Sequence, residues 1–317
     1  MDGLRTNRWN FYYSTTTHSE REVGVVAQGR SFRANQCRHV VFATQFAACI
    51  YSTASSLLVH SCPAGSSGPI TTLALSAASA HLLYVGTATG HVITWNVDSG
   101  EKLNRWNINT QLVELECATT VDPGQDTVYV IEKANKQWMI TAHQFGLDDD
   151  PSRTELVTLL KYDKPIRSFK VLPGGKAIVA MTTNGLIVGK LAGNKAALKN
   201  IRYTWREITC KEAPTCFDVQ SAEGPHGTTI NAVVGGLKGC IFVYQHLFTS
   251  LNMEDMPSKS VEPAPCRNAQ EMHWHREAVG AVAWSRDGEA NHPALPHHIW
   301  FPLEIFKVVR IIHEIYS

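Results

Sequence analysis

HLLYVGTATGHVITWNVDSGEKLNRW, residues 81–106, is the stretch of this 317-residue chain that decides its fold. It contains two short apolar runs, residues 82–85 and 92–95, and the second is rich in β-branched and aromatic residues that favour strands. Thr89-Gly90 separates the runs, and glycine suits a tight turn because it reaches positive φ at little steric cost. Asp98-Ser99-Gly100 is a second turn signal. The stretch therefore predicts two paired strands and a third element after the second turn.

The same unit recurs along the chain. Five short apolar segments resemble the start of such a unit, and their first residues are separated by 42, 54, 48 and 65 positions. They are residues 70–75, 112–117, 166–171, 214–219 and 279–284. A strand, a two-residue turn and another strand are expected after each of the first four. The turns are Thr89-Gly90, Asn135-Lys136, Asn184-Gly185 and Lys238-Gly239, and turns of this kind suit the twist of a β-hairpin.

Repetition at this spacing predicts a β-propeller of the WD type. Blades of that type run about 40–45 residues, so the first interval fits and the longer ones need inserted loops. Trp95-Asn96 stands where a blade of this type ends a strand pair with Trp followed by Asp or Asn. Evenly spaced strands also suit a β-sandwich, but the constant order within each unit favours the propeller. We predict an all-β fold, an incomplete WD-repeat propeller of about five to six blades with a non-WD C-terminal tail.

The units at both ends depart from the pattern. Residues 37–42 look like an opening strand and residues 47–51 like a closing strand, but the start of the first lies only 33 positions before Ile70. One strand or more is therefore expected to be missing there. After Gly288, three prolines between residues 293 and 302 exclude a regular strand, and residues 303–317 have apolar side chains at helical spacing. We divide the chain into an N-terminal segment, 1–32, a partial propeller, 33–289, and a tail, 290–317, which we interpret as a gene-model artefact in preference to an evolved helical cap.

Composition excludes several classes of protein. The formal net charge is +1, so bulk charge does not direct the chain to nucleic acid or to a membrane. Eight cysteines are scattered without a C-x-x-C pair, which indicates reduced thiols and a cytosolic or nuclear protein. The N terminus lacks the apolar region of a signal peptide, and no run of about 18 apolar residues occurs that could span a membrane.

The chain lacks the motifs of common catalytic sites. It has no G-x-S-x-G, phosphate-binding or H-E-x-x-H motif, so we predict no enzyme activity and no cofactor. Cys210 and Cys216 lack a second pair and are weak candidates for zinc. His273 and His275 share one side of a predicted strand, where they could bind a metal with a third ligand. We favour a structural hydrogen bond directed inward, because a buried histidine needs a partner in any case.

One segment, residues 190–211, is locally basic. It contains one acidic residue, Glu207, and six basic residues: Lys190, Lys195, Lys199, Arg202, Arg206 and Lys211. Tyr203 and Trp205 lie between them, and cations interleaved with aromatic rings can bind phosphates and stack on bases. The candidate contacts with RNA or a partner are Lys195, Lys199, Arg202, Tyr203, Trp205 and Arg206. The alternative is a solvated outer strand that its lysines protect from aggregation.

A family resemblance adds to these observations. EMHWHREAVGAVAWSRDG, residues 271–288, resembles a run in the WD-repeat proteins associated with U3 small nucleolar RNA, which belong to the transcription-linked subcomplex of the small-subunit processome. Residues 50–62 and 70–106 are similar to two of that family's blades. The WD signature residues are Trp95, Asn96, His273, His275, Trp284, Asp287 and Gly288. The resemblance covers roughly residues 33–288, whereas family members are much longer, with two tandem propellers and a helical C-terminal part.

The resemblance implies a non-enzymatic scaffold in ribosome biogenesis. Such proteins support assembly of the small-subunit processome on pre-rRNA, early 18S rRNA processing and rDNA transcription. The implied partners are other WD-repeat subunits of that particle and pre-rRNA or U3 snoRNA, in the nucleus and nucleolus, with no membrane and no small-molecule substrate. A generic WD-repeat adaptor, such as a substrate receptor of a ubiquitin ligase, would share the fold and is the alternative.

Overall fold

The computed structural model describes residues 26–28, 39–52, 55, 57–145, 155–192, 196–224, 227–253, 261–263, 269–273, 278–280 and 282. These residues form an all-β structure of five sheets, with one short α-helix, α1, at Leu247–Ser250. Sheet 1 contains β1 (Val26–Gln28), β2 (His39–Ala43), β3 (Ala47–Ser52) and β4 (Leu58–Pro63). Sheet 2 contains β5 (Ile70–Leu75), β6 (Leu82–Thr87), β7 (His91–Asn96) and β8 (Lys102–Asn107).

The remaining sheets follow in the same way. Sheet 3 contains β9 (Gln111–Ala118), β10 (Thr127–Ala134), β11 (Gln137–Gln144) and β12 (Glu155–Tyr162). Sheet 4 contains β13 (Ile166–Val171), β14 (Ala177–Thr182), β15 (Gly185–Ala192), β16 (Arg202–Thr209) and a short parallel strand, β20 (Glu262–Pro263). Sheet 5 contains β17 (Pro214–Gly224), β18 (Gly227–Gly236), β19 (Cys240–Tyr244) and β21 (Ala269–His273).

The four main strands of each sheet form an antiparallel meander in which spatial order follows chain order. The first strands of sheets 2, 3 and 4 lie side by side, since β5 contacts β9 and β9 contacts β13. The fourth strand lies at the opposite edge in sheets 1, 2, 3 and 5, whereas in sheet 4 the short strand β20 pairs with the outer side of the fourth strand, β16. Successive four-stranded meanders that meet through their first strands are arranged as propeller blades are, so the described part of the fold is propeller-like.

The four hairpins expected from the turn residues are confirmed. They join β6 to β7, β10 to β11, β14 to β15 and β18 to β19. Asn135 and Lys136 have φ of 48° and 65°, which is the geometry of a two-residue type I′ turn. Gly90 and Gly239 have φ of 86° and 87°, a region that glycine enters without strain.

Two expectations about the ends of the array need correction. Residues 39–43 form the second strand of sheet 1, because β1 precedes them and pairs Val26 with Phe42. Sheet 1 therefore has four strands, and the prediction of a missing strand is wrong because β1 lies before residue 33 and has only three residues. At the other end, residues 279, 280 and 282 of the predicted strand 279–284 are not in a strand, and residues 281, 283 and 284 lie outside the described part. The domain boundaries stay predictions, and residues 290–317 lie outside the described part.

The contacts of Val279 nevertheless repeat those of an earlier first strand. The Thr71 hydroxyl in β5 donates to the Leu112 carbonyl of β9 at 3.5 Å. The Thr215 hydroxyl, at the same position of β17, donates to the Val279 carbonyl at 2.6 Å. Val279 and Val282 are buried against sheet 5, as Leu112 is buried beside sheet 2. Val279 and Val282 therefore lie against sheet 5 in the way that β9 lies against sheet 2.

The core lies between neighbouring sheets, in four apolar layers joining sheets 1 to 2, 2 to 3, 3 to 4 and 4 to 5. In β14, Val179 packs toward sheet 5 while Ile178 and Ala180 pack toward sheet 3. Both faces of the middle sheets are therefore covered. This explains why their strands are continuous apolar runs instead of alternating polar and apolar residues.

Buried polar groups fasten sheets 2 and 3 together. Asp126, just before β10, accepts hydrogen bonds from the backbone amides of Ala77 and Ala78 at 2.8 and 3.0 Å. Its other oxygen accepts from the hydroxyls of Ser76 and Tyr84. Because a buried carboxylate is costly unless its oxygens are satisfied, this set of bonds fixes the loop after β5 against sheet 3.

Candidate functional site

The two aromatic residues of the basic segment do not face solvent. Tyr203 and Trp205 lie in β16 with exposed fractions of 2% and 1%, and both pack in the layer between sheets 3 and 4. The Tyr203 hydroxyl donates to the Gly175 carbonyl at 2.7 Å, and the Trp205 indole N–H donates to the Leu159 carbonyl at 3.2 Å. The expectation that these rings stack on bases is wrong, because both sit on the buried face of the strand.

The cations of the segment are also spread apart. Arg202 begins β16 and Lys211 lies nine residues further, which at 3.3 Å per residue is about 30 Å along an extended strand. Lys211 pairs with Glu271 of β21. Lys190 donates to the Met253 carbonyl at 3.2 Å. Arg206 is half-buried and donates to the Trp205 carbonyl at 3.3 Å, so the segment is not one continuous basic surface.

A smaller basic cluster remains at one end of sheet 4. Lys199 and Arg202 are exposed, whereas Lys195, the other candidate cation at this end, lies outside the described residues. Lys176 is also exposed and precedes β14. The starts of β14 and β16 both lie beside the last residues of β15, so about two strand spacings, or about 10 Å, separate them. We call Lys176, Lys199 and Arg202 the basic end of sheet 4.

The Arg202 side chain is held in place within this cluster. Its guanidinium donates to the Lys199 carbonyl at 2.8 Å and to the Ile201 carbonyl at 2.7 Å. A guanidinium carries five N–H donors, so these bonds orient the group and leave donors for an anion. Lys176 donates to the Thr228 hydroxyl at 3.3 Å. Sequence reasoning missed Lys176 because it lies outside the basic segment and only the pairing of β14, β15 and β16 brings it near Arg202.

The alternative interpretation, in which β16 is a solvated outer strand, also needs correction. The short strand β20 pairs with the outer side of β16, with Glu262 opposite Arg206 and Pro263 opposite Glu207. The middle of the edge is therefore covered by chain. Charged residues still flank it, as expected for an outer strand.

A polar groove of about 490 Å³ lies between sheets 2 and 3. Its walls are the turn after β6, the connection from β8 to β9 and the hairpin after β10, and its lining includes Thr89, Asn107, Asn109, Gln111 and Asn135. The lining supplies amides, hydroxyls and the side chain of Lys133 rather than a nucleophile next to a base. Among the described residues, no three or more His, Cys, Asp or Glu side chains are close enough together to hold a metal ion.

A buried hydrogen-bonded pair of Glu132 and His143 lies beside this groove. Glu132 of β10 contacts His143 of β11 at 3.0 Å, and Thr110, which lines the groove, donates to the other Glu132 oxygen at 2.8 Å. Burial alone would raise the pKa of Glu132, but hydrogen bonds from His143, Thr141 and Thr110 lower it below the usual range. The carboxylate oxygens are thus occupied by structural bonds, and the pair holds β10 to β11.

Three of the seven WD signature residues, Trp95, Asn96 and His273, lie within the described part of the chain. Trp95 is buried between sheets 1 and 2, and the Asn96 side-chain oxygen accepts from the amides of Asp98 and Ser99 at 2.9 and 3.1 Å. His273 is exposed and lies 3.3 Å from the Lys238 carbonyl, so the inward hydrogen bond expected of it is wrong. It stands at the end of β21, where it reaches a surface turn. His275, Trp284, Asp287 and Gly288 lie outside the described residues.

Glu114 of β9 is a titratable group that the sequence did not single out. Its carboxyl accepts a hydrogen bond from the Phe169 amide of β13 at 2.9 Å. Burial and the neighbouring Glu116 raise its pKa to about 8, and the Phe169 amide and Lys170 offset part of that rise. The group therefore links two first strands and is sensitive to pH near neutrality.

We expect Glu114 to make the fold less stable as pH rises from about 4.3, the usual value for an unfolded chain, to about 8. In that range the unfolded chain releases a proton that the folded chain retains, so the free energy of unfolding falls; above pH 8 the trend ends. Glu114→Gln should abolish this contribution. Thermal unfolding at pH 5 and pH 8 measures it, since 1 kcal/mol shifts Tm by about 2–4 °C. A variant whose Tm falls with pH as steeply as the wild type would contradict the assignment.

Comparison with the models of protein families finds no match, and comparison with the curated proteins finds no significant match. Among the described residues, no helix has the length and apolar character needed to cross a membrane.

Proposed function

We propose that this chain is a non-enzymatic scaffold of the WD-repeat propeller type, with about five to six blades, that holds other macromolecules in an assembly. The observation that carries the proposal is the series of four-stranded sheets joined by buried layers, which makes a rigid support. Propellers with loops at both ends of each blade present extended surfaces, and binding residues often lie on loops that a rigid scaffold positions.

We further propose that the assembly is the small-subunit processome, on pre-rRNA in the nucleolus. Residues 271–288 and the ordered similarity of the earlier units support this setting. The partners would be the particle's other WD-repeat subunits and pre-rRNA or U3 snoRNA. The proposed roles are particle assembly, early 18S rRNA processing and rDNA transcription.

RNA contact would pass through the basic end of sheet 4. Lys176, Lys199 and Arg202 are exposed cations on turns and at a strand end, and they suit phosphate oxygens. Tyr203 and Trp205 are buried, so base stacking by these rings has no part in the proposal. Binding would then depend on the RNA backbone and on salt more than on sequence.

Replacing Lys176, Lys199 and Arg202 with Ala should weaken binding to a pre-rRNA fragment and flatten its salt dependence. Each lost phosphate contact lowers the slope of log affinity against log salt concentration by about 0.7–0.9, so the slope of the triple variant should fall by about 2.1–2.7. Titrations at several salt concentrations measure the slope. Lys211→Ala is the control, because Lys211 pairs with Glu271 near the opposite end of the strand. An unchanged slope in the triple variant would exclude RNA contact at this end.

The cellular setting has a separate test. Purification of the tagged protein should recover U3 snoRNA and early small-subunit precursors from nucleolar extracts. Recovery of a cullin scaffold without these RNAs would favour the alternative adaptor function in a ubiquitin ligase. Depletion of the protein without loss of early small-subunit precursors would remove the assignment to ribosome biogenesis.

A further inference from the structure

The outer edge of strand β4 has no charged residue. This strand is the fourth of sheet 1, and no strand among the described residues pairs with its outer side. Its sequence, LVHSCP, contains no Lys, Arg, Asp or Glu, whereas β8, β12, β16 and β21 each contain at least one. Outer strands usually carry charges because their open N–H and C=O groups invite pairing with another chain. Such protection comes instead from Pro63, at the end of β4, and from a β-bulge at Val59.

The beginning of β4 is also apolar and exposed. Leu57, Leu58 and Val59 have exposed fractions of 66%, 50% and 42%. Elsewhere in the described residues, large exposed apolar side chains occur singly, at positions 46, 103, 156 and 237. Single exposed apolar residues are normal on protein surfaces, but three in succession on a strand edge mark a contact surface.

The molecule already contains one example of strand addition at an outer edge. The segment Glu262–Pro263 pairs in parallel with the outer side of β16, which is the fourth strand of its own sheet. The geometry of these sheets is therefore compatible with an added extended segment. Peptide recognition by strand addition combines such backbone pairing with side-chain contacts that select the segment.

We propose that the outer edge of β4 binds an extended segment of a partner protein, which adds to sheet 1 as a further strand and places branched apolar side chains against Leu57, Leu58 and Val59. A second copy of the chain fits less well. Two β4 strands paired antiparallel about their centres would set Leu58 opposite Pro63, which has no N–H to donate. This edge is separate from the basic end of sheet 4, and the inference does not depend on RNA binding.

A defined peptide tests the proposal. The probe is a fluorescein-labelled ten-residue peptide in which valine alternates with threonine, with a lysine at each end, titrated with the purified chain by fluorescence anisotropy. Leu58→Lys and Val59→Lys should each raise the Kd at least tenfold, because each adds a charge to the edge and removes apolar contact area. Leu156→Lys is the matched control, since Leu156 is 59% exposed near the start of the outer strand β12 and lies beside Glu155. Its Kd should equal that of the wild type.

Hydrogen exchange on the wild-type chain gives a measurement that does not depend on a variant. Saturating peptide should slow exchange of the amides of residues 58–61 and leave those of β12 unchanged. Equal affinity of the wild type and the two β4 variants, absence of saturable binding, or unchanged exchange in β4 would each overturn the proposal. So would a wild-type dimer that Leu58→Lys converts to a monomer, because the occupant would then be a second copy.

Discussion

Trp205→Ala should lower the free energy of unfolding by about 3–5 kcal/mol, the usual cost of removing a large aromatic side chain from a core. Trp205 is fully buried between sheets 3 and 4, and its indole N–H is bonded to the Leu159 carbonyl. The substitution leaves a cavity and an unpaired carbonyl. Denaturant titration followed by circular dichroism measures the change, and Leu156→Ala is the control, because exposed positions usually change stability by less than about 0.5 kcal/mol.

The same variant separates two interpretations of β16. If Trp205 were a base-stacking residue on the surface, its removal would weaken RNA binding and leave stability unchanged. The buried position predicts the reverse order, in which stability falls first and binding changes only as the fold is lost. A stable Trp205→Ala protein with weakened RNA binding would therefore contradict the placement of this side chain.

His143→Ala should lower the free energy of unfolding by about 1–3 kcal/mol, because it removes a hydrogen-bond donor from the buried Glu132 carboxylate. The control is His81→Ala. His81 pairs with Asp98, but both side chains are exposed, and exposed pairs contribute about 0–1 kcal/mol. Similar losses in the two variants would show that the Glu132–His143 pair is not buried in solution.

The pKa of Glu132 adds a pH dependence to this prediction. Because its folded pKa is lowered, the stabilisation is fully present above the unfolded value of about 4.3 and is lost as pH falls through the folded pKa. The difference between wild type and His143→Ala should therefore be largest near neutral pH and shrink in acid. A difference that grows as pH falls would have the wrong sign.

Much of the strand order could be predicted because it depends on local signals. Asn135 and Gly90 are residue types that adopt the positive φ of tight turns, and the apolar runs on both sides of the two turns are long enough to form strands. Sheet 1 was harder because β1 has only three residues, Val26–Gln28, and pairs with β2 across a gap of ten residues in the sequence. A strand of three residues is too short to show an alternation of polar and apolar residues, so its formation depends on the sheet that it joins.

The candidate site was less predictable because it depends on which face of a strand is buried. In RYTWREIT, Tyr203 and Trp205 alternate with more polar residues, and the sequence does not say whether that face meets solvent or another sheet. Packing against sheet 3 decides it. Lys176 joins Arg202 only through the register of three strands, and no spacing along the chain carries that information.

The bonds to Asp126 make sheets 2 and 3 a single cooperative unit. Four donors from one sheet or its loop meet one carboxylate at the start of the next, and the Thr71 hydroxyl bridges the first strands of the same pair. Opening either sheet would leave the buried Asp126 carboxylate without its hydrogen-bond donors, so local unfolding of one sheet without the other is costly. The stability of successive packed sheets depends on the contacts between neighbours, so a substitution between two sheets destabilises both of them.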